Sequence, residues 1–210
     1  MSINSEVLHS IDQLLTNYQN TELLVVTKNR SETIVNDLIS RGYKLFGENR
    51  VQEAKQKFQK LNMNDIKLHL IGPLQSNKVK DALEMFDVIQ TVDRYKLVDE
   101  IHKNIPKMNE IKTKEFYIQI NIGEEIQKSG INSDELKKFY DYCLSKSLNI
   151  IGLMCIPPIN KDPSSYFLKM SSLRNSINPE LKLSMGMSSD YENAIKLGSN
   201  LIRVGSKIFN

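Results

Sequence analysis

The sequence predicts an α/β fold of the (β/α)8 TIM-barrel class, with one extra helix at the N-terminus. Three observations carry that expectation. Eight short apolar runs recur along the chain, each separated from the next by an interval long enough for a helix. A repeating strand–helix pattern implies parallel strands with right-handed crossovers, and eight such units can close into a barrel. No dinucleotide fingerprint and no phosphate-binding lysine loop follows the first run, which tells against the alternative, an open doubly wound sheet. The chain has 210 residues, 40% of them hydrophobic, and is expected to form one domain over 1–210. Barrels of this class typically need about 250 residues, so the loops must be compact.

The extra helix comes first. Val7, Leu8, Ile11, Leu14, Leu15 and Tyr18 recur at helical spacing within 5–18, with Ser5 as the expected cap. Leu23-Leu24-Val25-Val26 reads as a fully buried central strand that delivers Thr27 and Lys28. Ser31 is the expected cap of a helix bearing Ile34, Val35, Leu38 and Ile39, which Gly42 ends. The second strand is Lys44-Leu45-Phe46, followed by Gly47-Glu48-Asn49 and a helix with Val51, Ala54, Phe58 and Leu61. The third is Leu68-His69-Leu70-Ile71, broken by Gly72-Pro73. The fourth covers 88–92, with a helix from Leu97. The stretch 106–115 is charged and unpatterned, and reads as a surface loop. The fifth strand covers 116–120, a helix 136–148, and the sixth strand 150–156, ended by Pro157-Pro158. A helix around 166–173, a strand over 181–185, a helix over 191–197 ended by Gly198 and a strand over 201–205 complete the pattern.

Composition narrows the function classes. There are 28 basic and 25 acidic residues, a formal charge of +3, and no basic cluster stands apart from acids, so a nucleic-acid partner is not expected. Cys143 and Cys155 show no ligand spacing and read as reduced, structural residues of a cytoplasmic protein. The N-terminus lacks the basic flank and apolar core of a signal peptide, and no run approaches a membrane span. No metal-ligand spacing and no serine-elbow motif is present.

The candidate chemistry gathers at strand ends. Lys28 stands at the C-terminal mouth of the first strand, where barrels of this class do their chemistry and an amine can attack a carbonyl. The plain alternative is a surface lysine that closes a strand. Glu48, Asn49, Gln75, Asn77, Asp93, Arg94, Asn121, Ser188 and Arg203 also follow or end strands, and together they describe a polar cup. The loops after strands seven and eight form the usual phosphate cradle of such barrels. Here they hold Gly186, Met187, Ser188 and Ser189, then Gly205 and Ser206, with Ser188 or Ser189 as the expected cap of the next helix. Arg203 has two readings, inward to a planar acceptor or outward to a helix carboxylate. His69 is expected to be a hydrogen-bonded core residue rather than a base.

Several motifs in order carry a resemblance that covers about residues 5–209. They are Val26-Thr27-Lys28, Phe46-Gly47-Glu48-Asn49, His69-Leu70-Ile71-Gly72-Pro73-Leu74-Gln75-Ser76-Asn77-Lys78, Lys128-Ser129-Gly130, Gly152-Leu153-Met154, Ser184-Met185-Gly186-Met187-Ser188 and Ile202-Arg203-Val204-Gly205. In these the chain resembles the pyridoxal-phosphate homeostasis protein family, which is similar to the N-terminal barrel of alanine racemase. The resemblance implies that pyridoxal 5'-phosphate (PLP) is held as a lysine aldimine on Lys28. It puts phosphate contacts on Ser188, Gly205 and Ser206 with backbone help near Met187, Arg203 near the pyridine nitrogen, and Asn49 beside the ring. His69, Gln75, Asn77 and Lys78 match the signature in support and surface roles.

An arginine at the ring nitrogen cannot give up its proton, which leaves the ring a weak electron sink. Racemases of this type also use a tyrosine from a second, all-strand domain; Tyr43, Tyr95 and Tyr117 are the candidate substitutes within this sequence, but their strand-start or loop positions do not favour them. The resemblance thus implies a cytoplasmic protein that buffers or delivers PLP in vitamin B6 homeostasis, without established turnover. Its implied partners are PLP and apo-enzymes that receive it, with no nucleic acid and no membrane, and the chain is expected to be a monomer, with a weak dimer as the alternative. An amino-acid racemase or related PLP enzyme is the alternative function. Two departures stand out. Asn29-Arg30 replaces a lysine or threonine, with Arg30 expected to restore positive charge at the mouth. Phe209-Asn210 stands where relatives commonly continue into a basic tail, so a more open phosphate side is expected.

Overall fold

Alternation builds the barrel, because successive strand residues face opposite sides of the sheet. The computed structural model describes residues 2–209; Met1 and Asn210 of the expected 1–210 unit lie outside the described residues. Eight parallel strands, β1 (Glu22–Val26), β2 (Leu45–Glu48), β3 (Lys67–Leu70), β4 (Val88–Val92), β5 (Glu115–Ile120), β6 (Ile150–Cys155), β7 (Lys182–Ser184) and β8 (Leu201–Val204), pair in sequence order. β8 meets β1 from Glu22↔Leu201 to Val25↔Val204, which closes the barrel. The helices are α1 (Ser5–Thr16), α2 (Glu32–Ser40), α3 (Val51–Phe58), α4 (Val79–Met85), α5 (Tyr95–Asn104), α6 (Leu136–Ser145), α7 (Ser164–Ile177) and α8 (Tyr191–Lys196).

One parity of each strand packs outward. Val25, Phe46, Leu68, Ile89, Ile118, Leu153, Leu183 and Ile202 join the apolar helix faces in one large buried cluster. The other parity fills the interior with two smaller clusters. One is Leu24, Val26 and Leu201 with Leu45 and Ile71; the other is Val88, Tyr117 and Met154 with Ile151 and Ile156. The remaining interior positions include His69, Gln90, Ser184 and Arg203, all buried.

The ends of elements depart from expectation where local chemistry competes. Asn4, not Ser5, caps α1, accepting from Val7 N at 3.2 Å. Ser31 caps α2 as expected, accepting from Ile34 N at 3.4 Å. The expected 106–115 loop begins with a 3-10 turn, Ile105–Lys107. α7 extends beyond 166–173 at both ends. The chain termini meet beside the closing seam: Ile3 bridges Phe209, and Asn4 N donates to Ile208 O at 2.7 Å.

Candidate functional site

Lys28 is exposed just beyond β1, on a turn whose backbone is held on every side. Thr27 N donates to Gly47 O at 3.0 Å, extending the β1–β2 ladder, and Arg30 N returns to Thr27 O at 3.0 Å. Asn29 adopts φ 58°, a left-handed conformation that asparagine tolerates. Beneath the turn lies a buried ionic group. The Lys57 ammonium on α3 donates to Thr27 O at 2.7 Å, Glu48 Oε1 at 2.6 Å and Glu53 Oε1 at 3.1 Å. Thr27 Oγ1 donates to Glu48 Oε1 at 2.7 Å, and Asn29 N donates to Glu53 Oε1.

Glu48 therefore does not line the cup. It ends β2 on the outward parity, wholly buried against α3, and burial raises its pKa while Lys57 opposes the rise. Lys57 and Glu53 were not among the expected site residues. Their signal was present, since Lys57 falls three residues after Ala54 and beside Phe58 on the apolar face of α3, where a lysine needs partners.

The loops after β7 and β8 converge. Gly205 N and Lys207 N both donate to Ser188 Oγ, each at 3.4 Å, near the long limit of hydrogen bonding. Gly186 turns the first loop at φ 93°, and Arg203 N donates to its carbonyl at 2.9 Å. A Cβ on Gly205 would lie 3.0 Å from both Cβ and the carbonyl oxygen of Val26, so the second loop abuts β1 two residues before Lys28. Asp190, not Ser188 or Ser189, occupies the N-cap of α8, and its carboxylate accepts from Met187 N at 2.6 Å. Ser206 is exposed beside Gly205.

Asn49 sits on another sector of the rim. It lines a cavity of about 280 Å³ with Ile71, Gly72, Gln119, Asn121 and Lys128. Asn121 instead binds its own loop, through Glu125 N and O. Asp93 pairs with Arg94, which also donates to Leu74 O at 2.8 Å. The Arg30 guanidinium lies 4.7 Å from the centre of the Phe209 ring.

Arg203 points inward, at 4% exposure. Its Nη1 donates to Ser184 Oγ and its Nη2 to Cys155 O, both at 2.7 Å. Ser184 Oγ donates to Gln90 Oε1 at 2.6 Å, and the Gln90 amide meets His69 Nδ1 at 2.7 Å. β4 and β7 are not neighbours, so this chain crosses the interior. The guanidinium has only donors, which fixes its own two links, and with the Gln90 amide nitrogen turned to His69 the Nδ1 atom accepts. His69 is the hydrogen-bonded core residue expected, with burial pushing its pKa down to about 3. Burial also lowers the pKa of Arg203 and raises that of the Cys155 thiol to about 12.

The tyrosines weighed as second bases are engaged elsewhere. Tyr43 precedes β2, at the opposite end of the barrel, and donates to Asp12 Oδ2 at 2.6 Å. Tyr95 packs edge-on against Phe139 and Tyr142, and Tyr117 fills the interior against Gly152. Among the described residues no His/Cys/Asp/Glu group is arranged to hold a metal ion.

No protein-family model matches the chain. The pyridoxal phosphate homeostasis protein of Aquifex aeolicus (strain VF5) is 36% identical over 197 residues, which span 90% of this chain and 86% of that protein. PipY of Synechococcus elongatus PCC7942, solved without PLP, superposes with a TM-score of 0.88 at 30% identity, covering 98% of this chain and 99% of PipY. PipY has also been solved with PLP bound, and that form gives a TM-score of 0.78 at 29% identity over 95% of this chain and 100% of PipY. Alanine racemase from Acinetobacter baumannii shares the fold, with a TM-score of 0.75 at 14% identity over 98% of this chain and 61% of the racemase.

Proposed function

This chain belongs to the pyridoxal phosphate homeostasis protein family, and from that premise we propose that it holds PLP on Lys28 as an intracellular reserve of the cofactor. When bound, PLP supplies an aldehyde that condenses with a lysine amine and releases water. The single observation that carries the assignment is the contact of Gly205 with Val26, which sets the anion cradle against the strand that delivers Lys28.

The residues fit the group. Gly205 N and Lys207 N converge on Ser188 Oγ through long hydrogen bonds that a phosphate, a stronger acceptor, can displace. Ser188 and Ser206 add hydroxyl donors. Met187 contributes through the loop it shapes with Asp190 rather than through its own N–H, which Asp190 already holds. Arg203 faces the barrel interior, and its fixed charge would keep a pyridine nitrogen placed against it unprotonated. Asn49, which lines the cavity on the rim, would border the ring. The function is to bind and buffer PLP rather than to racemise amino acids.

In this reading the chain works as a single barrel domain and a monomer that passes PLP to apo-enzymes in the cytoplasm. Two buried free cysteines suit a reducing compartment. Among the described residues no helix is long and apolar enough to cross a membrane.

Borohydride reduction of the PLP-loaded protein, followed by peptide mass analysis, tests the reading. The expected adduct is on Lys28 and is lost in Lys28→Ala. Lys78 and Lys128 are the rivals, and Lys128 already donates to Pro157 O at 3.2 Å. An adduct on either rival with Lys28 unmodified would overturn the assignment.

A further inference from the structure

We infer that Lys57, Glu48 and Glu53 form a positioning clamp for Lys28, fixing the direction in which that lysine leaves the barrel rim. The inference rests on the reading of Lys28 as the attachment point. Lys28 itself is exposed, and a lysine side chain on a mobile turn would sample many directions. Here the residues on both sides of it are tied to one group. Lys57 holds the carbonyl of Thr27, Glu48 holds the Thr27 hydroxyl, and Glu53 holds the amide of Asn29. The three donors of the Lys57 ammonium match its three acceptors, at 2.6, 2.7 and 3.1 Å.

Stability alone does not explain the group. Lys57 is 6% exposed and Glu48 fully buried, and Glu48 Oε2 has no hydrogen-bond partner. Well-packed apolar residues in place of a buried ion pair are often neutral or stabilising. What apolar residues cannot do is grip two backbone points, one on each side of Lys28, with directional bonds. The ionic group performs that task, and its members touch the turn rather than the ligand.

The test separates attachment from phosphate binding. Lys57→Met and Glu53→Ala are compared with the parent for affinity to PLP and to pyridoxine 5'-phosphate, which carries the phosphate but no aldehyde. Glu53 is partly exposed, so its variant reports even if Lys57→Met fails to fold. Phe139→Leu, a buried change far from the turn, serves as the destabilised control. The clamp requires PLP to weaken by roughly ten- to a hundredfold, the scale of an ångström's misplacement, while pyridoxine phosphate binds as before and the control keeps the parent's ratio. The absorbance of the bound PLP should shift toward the unattached aldehyde in the same variants. Parallel weakening of both ligands, or no change in either, would overturn the clamp. If the parent itself gives no borohydride-fixed adduct on Lys28, the functional reading fails first and the clamp falls with it.

Discussion

A proton placed on His69 Nδ1 would meet the Gln90 amide donor, and the Gln90 amide and Ser184 hydroxyl would have to reorient to accommodate it. The folded pKa of about 3 lies below the ordinary 6.5, and the unfolded chain takes up a proton that the folded chain refuses. This contribution to stability is therefore complete above about pH 6.5 and declines as pH falls toward 3, at about 1.4 kcal/mol per pH unit. Glu48 and Asp93, whose pKa values are raised by burial, act with the opposite sign. Denaturant unfolding of the parent and His69→Gln across pH 4–7 isolates the term, and the difference between them should flatten above pH 6.5. A second residue-scale expectation concerns the cradle. In the proposed cradle Ser188→Ala and Ser206→Ala would each remove a hydroxyl donor to phosphate, worth about 1.5–3 kcal/mol, so PLP retention by equilibrium dialysis should weaken roughly ten- to a hundredfold. The rim placement of Lys28, Ser188 and Gly205 was legible in the sequence because a parallel barrel delivers strand ends to one rim. Gln90 and Ser184 were not, because their partnership joins residues that only the closed barrel brings within reach.

Between elements, the tightest constraint on the rim is the approach of the turn after β3 to the end of β2. A Cβ on Gly72 would lie 2.2 Å from Asn49 O and 2.7 Å from Asn49 Cα. Neither backbone atom can yield without moving Asn49, so Gly72→Ala should cost about 1–3 kcal/mol in chemical denaturation. Gly47→Ala should cost less, because its closest neighbour is the end of the Leu24 side chain. Strand existence was legible from apolar runs, since each strand buries both faces. Strand ends were less so. Glu48 looked like a rim residue because it follows Phe46 and Gly47, yet it is the last residue of β2, and parity sends it outward to Lys57. The sequence pattern marks that a strand stops; the register with its neighbour decides which face the last residue takes.

At the scale of the whole molecule, the ends of the chain lock the seam. Phe209 is buried, bridges Ile3 and stacks under the Arg30 guanidinium. Phe209→Ala should lower stability by about 3 kcal/mol, and hydrogen exchange should quicken first in α1 and along β1–β8. The same seam has a kinetic meaning. Lys28 lies early in the chain and the loop of Gly205 and Ser206 late; Thr21 Oγ1 reaches Ser199 O across 178 residues, at 2.7 Å. Contacts of such high sequence separation are the slowest to form, because the entropy of the intervening loop is lost before they contribute. In the proposed binding mode, a chain whose seam has not closed would present Lys28 without Gly205 and Ser206 beside it. PLP then needs both ends of the chain, so its binding would draw the folding equilibrium toward closure.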